Sequence, residues 1–167
     1  MRIKNIDETF LDYPDNGDIS LIVFMPGCDH NCKDCQNPEL QNPDNGKLYT
    51  IEEAVKEIEK QAMRSRTDKI VLSGGDPLSF YNIDNTIRLL DKLKGFDICI
   101  YTGYDIDYVK ENHIKNFKFI KCGIYDETKA VKSYKDDNGI QFASTNQKLY
   151  DSNYNLLSEE GYYKFKE

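Results

Sequence analysis

The chain has 167 residues, 39% hydrophobic and 31% charged, a length and balance that suit a single globular domain over residues 1–167. A formal net charge of −7 excludes the broad basic footprint of a nucleic-acid binder, since the basic residues gather only in the short stretch Met63-Arg64-Ser65-Arg66. No apolar run is long enough to cross a bilayer and no export signal follows Met1, so the expected setting is the cytoplasm, without membrane contact.

Residues 19–24, Ile-Ser-Leu-Ile-Val-Phe, read as a buried strand bounded by turn residues. After Pro26-Gly27 comes Cys28-Asp29-His30-Asn31-Cys32-Lys33-Asp34-Cys35, and residues 36–49, with Pro38, Pro43 and Gly46, read as a long functional loop. Thr50-Ile51-Glu52-Glu53 has the form of a capping box. Ile51, Ala54, Val55, Ile58 and Ala62 at helical spacing behind it predict a helix over 51–64. Residues 69–73 form the next expected strand, broken by Gly74-Gly75-Asp76-Pro77. A second helix over about 83–94 stops at Gly95. Residues 97–101 predict a third strand ending at Thr102-Gly103, and Asp105 caps a short helix through Val109-Lys110-Glu111. A fourth strand is expected from Phe117 to Ile120, ending near Cys122-Gly123. Beyond Lys129 the chain is polar and weakly periodic, which predicts loops and one strand near 141–149.

Strands alternating with helices in this order imply right-handed parallel βαβ units. Four or five strands cannot close an eight-stranded barrel, so the expected fold is α/β, an open or partial βα barrel with chemistry at the C-terminal strand ends. The cysteine loop, Gly74-Gly75, Thr102-Gly103 and Cys122-Gly123 all follow strand ends and would converge on one rim.

Five cysteines, an odd number, in a chain without a secretion signal argue for reduced thiols rather than a disulfide framework. Three of them, Cys28, Cys32 and Cys35, lie within eight residues. Three thiolates on a four-iron cluster leave one iron open for a ligand; the alternative is a zinc site completed by His30 or a remote cysteine. An open iron takes paired donors such as an amino acid's amine and carboxylate. Gly74 and Gly75 would let such a ligand reach the backbone, and Asp76 offers a carboxylate to an ammonium group. Alone, Gly-Gly-Asp-Pro is equally an ordinary strand-to-helix turn. Cys99, between Ile98 and Ile100, reads as a buried small hydrophobe. Cys122 is either a passive strand-end thiol or a redox group, His113 a solvated histidine, and Tyr101 and Tyr104 either pocket walls or core.

With Cys28-x3-Cys32-x2-Cys35 after the first strand and Gly74-Gly75-Asp76-Pro77 after the second, the chain resembles the radical S-adenosylmethionine superfamily. Within it, the chain is most similar to the activating enzymes of anaerobic ribonucleoside-triphosphate reductases. That similarity runs through Asn16-Gly17, Pro26-Gly27-Cys28-Asp29-His30-Asn31-Cys32, Asn37, Gly46-x-x-x-Thr50, Leu72-Ser73-Gly74-Gly75-Asp76-Pro77-Leu78, Tyr101-Thr102-Gly103-Tyr104 and Ser144-x-Asn146-Gln147, over roughly residues 16–148. The resemblance implies one 4Fe–4S cluster on Cys28, Cys32 and Cys35, with S-adenosylmethionine chelating the fourth iron beside Asp34, Gln36, Gly74, Gly75 and Asp76. It further implies a flavodoxin-like electron donor and reductive cleavage to a 5′-deoxyadenosyl radical. That radical would take a hydrogen from a glycine of the reductase, leaving a glycyl radical. Another glycyl-radical enzyme or a small molecule as target, and a zinc- or cluster-binding structural or electron-carrier protein, are the rival readings. Loops 36–49 and 124–140 are the expected docking surfaces.

Overall fold

The computed structural model describes residues 1–15, 17–133 and 138–165; Asn16 and residues 134–137 of the expected docking loop lie outside the described residues. In chain order the elements are β1 (Arg2–Ile3), β2 (Asn5–Thr9), β3 (Ser20–Met25), β4 (Lys47–Leu48), α1 (Ile51–Ser65), β5 (Lys69–Gly74), α2 (Ile83–Lys92) and β6 (Asp97–Tyr101). They continue with α3 (Ile106–Glu111), β7 (Phe119–Cys122), β8 (Gly139–Gln141), β9 (Lys148–Asp151) and β10 (Tyr162–Lys164). The main sheet has the order β2-β3-β5-β6-β7-β9. Its four middle strands are parallel, with Leu21 opposite Ile70, Ile70 opposite Ile98, and Ile100 opposite Ile120. The edge strands β2 and β9 run antiparallel to their neighbours, and β1–β4 and β8–β10 form separate antiparallel pairs. The protein is therefore mixed α/β with a largely parallel central sheet.

The parallel strands follow chain order without a reversal, so right-handed crossovers carry α1, α2 and α3 to one face. Side-chain alternation then sorts the strands into two faces. Val23, Met25, Ile70, Leu72, Ile98, Ile100, Ile120 and Cys122 pack with Ala54, Ile58, Leu89, Leu90 and Val109 in the helix-side core. On the other face Ile22, Val71 and Cys99 lie under Tyr13, flanked by Phe24, Tyr101 and Phe119. Ile140, Phe142, Leu149 and Tyr163 extend that cover from the later strands. Cys99 is fully buried, as its place between two isoleucines implies.

Helix α1 begins with the expected reciprocal cap, Thr50 bonding the Glu53 amide and Glu53 bonding back to Thr50, and ends on Arg66 in the left-handed region. Two differences from the sequence expectation have clear causes. Strand β7 starts at Phe119, because Phe117 turns into the helix-side core and Lys118 donates its amide to Ile98 before the ladder begins. The single strand expected near 141–149 is two strands, since Gln147 folds back on Ser144 in a tight turn between them. Strands β1, β2, β4 and β10 carry no sequence signal. The pattern Asn-Ile-Asp-Glu-Thr of β2 is mostly exposed, and its pairing is dictated by β3. No helix among the described residues is long and apolar enough to cross a membrane.

Candidate functional site

Strand β3 delivers the chain into the cysteine loop through Gly27, whose φ of 106° is open to glycine and unfavourable for other residues. The Gly27 amide bonds the Leu40 carbonyl at 2.8 Å and the Cys28 amide that of Gln41 at 3.2 Å, so residues 40–41 underpin the loop. Asn31 and Asp34 adopt left-handed φ values of 48° and 56°, which let eight residues turn twice. Cys28, Cys32 and Cys35 are free thiols, each partly buried. All three line a cleft of about 1150 Å³, together with the sequence-selected Gln36, Gly74 and Gly75. The loop arches across the sheet: Lys33 pairs with Glu127 at 2.6 Å, beyond β7, and the Tyr125 amide on the same segment favours the Cys32 thiolate.

Asp34 and Asp76 lie elsewhere. Asp34 is exposed on the outer turn of the loop, and neither residue lines the cleft. Asp76 is 1% exposed and works as a hub beneath the site. Its Oδ2 bonds His30 Nε2 at 2.7 Å and accepts from the Gly103 amide at 2.7 Å and the Thr102 hydroxyl at 3.0 Å. Its Oδ1 accepts from the Leu78 amide at 2.8 Å. One carboxylate thus ties together the loops after β3, β5 and β6. Gly75 allows the same closeness in the backbone: a Cβ there would stand 2.5 Å from the Leu40 oxygen and 2.6 Å from that of Gly27. A side chain at Gly103 would strike the His30 ring at 2.5 Å.

Asn82 and Ser79 are structural partners that the sequence did not single out. The Asn82 amide donates to the carbonyls of Pro26, Gly27 and Asp76, and the Ser79 hydroxyl to Gly27. Asn82 opens α2, so by position it reads as an ordinary cap, yet its side chain makes no cap bond. The nearest hint of its role was the adjacent Gly-Gly-Asp-Pro.

Electrostatics around Cys28 and Cys32 are adverse to ionisation. Burial pushes the Cys28 thiol up to about 11, helped by Asp76, Cys32 and Asp29. Burial also raises Cys32, against the Tyr125 amide. Thiolates here need a metal to offset their charge. The bond to Asp76 raises the His30 pKa. Cys28, Asp29 and His30 each bring a ligand atom within 4.8 Å of the others. His30 Nε2 is nonetheless committed to Asp76, and Asp29 Oδ2 accepts from the Tyr104 hydroxyl at 2.7 Å. Cys122 faces the helix-side core, away from the cleft, and burial pushes its thiol up to about 12. Tyr101 lines the cleft, whereas Tyr104 stacks on Tyr108 at 3.8 Å.

Compared with known proteins, residues 16–150 match the family model described as a 4Fe-4S single cluster domain. The chain belongs to this family. Among its relatives is the anaerobic ribonucleoside-triphosphate reductase-activating protein of Enterobacteria phage T4, 30% identical over 135 residues, covering 78% of this chain and 82% of that one. The protein of the same name from Escherichia coli K12 is 28% identical over 138 residues, covering 77% and 85%. That of Haemophilus influenzae is 26% identical over 134 residues, covering 77% and 84%. For a 4Fe-4S single-cluster domain the donor set is chemically apt: three soft sulfur ligands on one loop, facing a common cleft. The remaining cysteines, Cys99 and Cys122, are buried in the cores and line no part of it.

Proposed function

We propose that this chain activates an anaerobic ribonucleoside-triphosphate reductase by generating a glycyl radical on it. Cys28, Cys32 and Cys35 would hold one 4Fe–4S cluster, and S-adenosylmethionine would bind beside it against Gly74, Gly75 and Gln36. Asp34 would bound the site from outside, and Asp76 would fix the loops that form it. When bound, the cluster supplies the electron that cleaves S-adenosylmethionine to methionine and a 5′-deoxyadenosyl radical, the species that takes hydrogen from a glycine. The observation that carries this reading is the meeting of three free thiols with Gly74-Gly75 in one cleft.

The protein's own residues position and enclose. Gly75 brings the backbone after β5 against that after β3 without a side chain between them. His30, clamped by Asp76 and seated on Gly103, stiffens the loop that bears the thiols. Tyr101, Phe142 and Ile140 give the cleft an apolar wall that would exclude water from a reactive species. The strand order, without reversal, and the cover over the sheet's second face support reading the sheet as an open partial βα barrel. We further assign residues 1–167 to one radical S-adenosylmethionine domain, the electron donor to a flavodoxin-like protein, and the setting to the cytoplasm. The names of the phage and bacterial relatives support the choice of reductase.

The test is anaerobic reconstitution with iron and sulfide, then incubation with S-adenosylmethionine, dithionite and the reductase, followed by electron paramagnetic resonance. A glycyl doublet on the reductase is expected. Release of 5′-deoxyadenosine without that doublet would move the target to another glycyl-radical enzyme or a small molecule. One bound zinc and no iron would overturn the radical reading altogether.

A further inference from the structure

Among the described residues, three charged ones line the cleft: Asp12, Lys121 and Lys164. Lys121 is set apart by its position in the central sheet, as the third residue of β7. Its neighbours Ile120 and Cys122 both belong to the helix-side core, so alternation turns Lys121 toward the cleft. The Nζ atom lies 5.1 Å from the ring centroid of Tyr101. That ring is itself fixed, its hydroxyl donating to the Asp12 carbonyl at 2.7 Å and its edge meeting Phe142. Among the described residues no carboxylate forms an ion pair with Lys121. Asp76, an acid near the site, is already engaged by four hydrogen bonds.

A half-buried ammonium without a counter-ion is unfavourable unless something else in the cleft carries negative charge. The same cleft holds three thiols, in surroundings where Asp29 and Asp76 oppose thiolate formation at Cys28. Positive charge in the cleft comes from Lys121 and Lys164, and of the two Lys121 is the one set on the central sheet, in β7.

We propose that Lys121 is the charge-balancing residue of the metal centre, a positioned cation that raises its midpoint potential and eases its one-electron reduction. This rests on the reading that Cys28, Cys32 and Cys35 hold a 4Fe–4S cluster. Reduction adds one electron, and so one negative charge, with no bond made or broken. A nearby fixed cation favours the more negative form, and net charge is among the levers that set cluster potentials. Burial alone pulls the Lys121 pKa down, while Asp76 and the thiols of Cys122, Cys99 and Cys32 pull it up. An anionic centre in the cleft adds to the upward pull.

The experiment compares wild type, K121M and K121R after anaerobic reconstitution, without S-adenosylmethionine. Iron and sulfide are counted, and the midpoint is read by dithionite titration followed by electron paramagnetic resonance. The resonance reports the loaded fraction, so incomplete loading of a variant does not shift the value. K121M should titrate at a clearly more negative potential than wild type, and K121R should recover most of the difference. An unchanged midpoint in K121M overturns the proposal. A separate binding titration of the same reconstituted proteins with S-adenosylmethionine would, if K121M binds more weakly at an unchanged midpoint, assign Lys121 to the ligand's carboxylate instead. Failure of the wild type to take up iron and sulfide would remove the underlying cluster reading, an outcome distinct from a loaded variant whose potential does not move.

Discussion

Asp76 and Gly75 are adjacent in sequence and serve opposite ends of one physical problem, holding several loops close without filling the space between them. Asp76→Ala strips partners from His30, Thr102, Gly103 and Leu78 at a buried position. The unfolding free energy should fall by about 3 kcal/mol, read by urea denaturation, with Asp76→Asn intermediate because it keeps an acceptor. Gly75→Ala places a methyl group against two carbonyl oxygens and should cost about 2 kcal/mol. The sharper readout there is iron uptake, which should drop because relief of the clash moves the turn at Gly27, next to Cys28. At this scale the sequence was informative about identity and poor about orientation. The three cysteines were selected from their clustering, Gly74 and Gly75 from the backbone freedom of glycine and Gln36 from the family resemblance, and all line the cleft. Asp76 was chosen as a ligand-facing acid and instead points into the protein. Nothing in a one-dimensional motif distinguishes a carboxylate that faces a ligand from one that braces a loop. Lys121 was not selected at all, since a lysine near a strand end looks like any surface lysine until alternation along β7 is known.

Among the elements, those with their own local signals were legible. Helix α1 announces itself by its cap and its apolar stripe, and it runs one residue past the predicted end, to Ser65. Thr50→Ala should lower stability by about 1 kcal/mol without changing cluster content, a contrast that denaturation and iron analysis together would show. The pair Lys33–Glu127 spans a large distance in sequence but is exposed at 77% and 39% of the two side chains. Lys33→Ala should therefore change stability by less than about 0.5 kcal/mol in the same assay. Strands β2 and β10 were hidden for a physical reason: their pairing comes from neighbours elsewhere along the chain, and an edge strand such as β2 can be polar on both faces. The tail read as loops with one strand because its apolar residues are spaced by turns, although Ile140, Phe142, Leu149 and Tyr163 form a cluster of their own.

For the whole molecule, the ordering of strands governs where the chemistry can be. Helices on one face leave the second face of the sheet to be covered by other means, and residues from 138 onward provide part of that cover together with Tyr13. Leu149, fully buried there, should cost about 3 kcal/mol on replacement by Ala, with the loss visible in the thermal midpoint.

The same ordering sets a sequence of events. Neighbouring parallel strands are joined through a single helix, so the sheet is assembled from comparatively local steps. The contacts that frame the cleft are the remote ones: Tyr101 to Asp12 spans 89 residues and Lys33 to Glu127 spans 94. Contacts of such separation carry the larger loop-closure cost and are late to form. We predict that pulsed hydrogen exchange during refolding will protect β5 and β6 before the amide of Asp126, which bonds Ser144 Oγ beside the Lys33–Glu127 pair, and simultaneous protection would contradict this. A mouth that closes after its floor is built gives the three thiols an interval in which they are already placed and still reachable from solvent. On this view, loading with iron and sulfide is a matter of timing as much as of affinity.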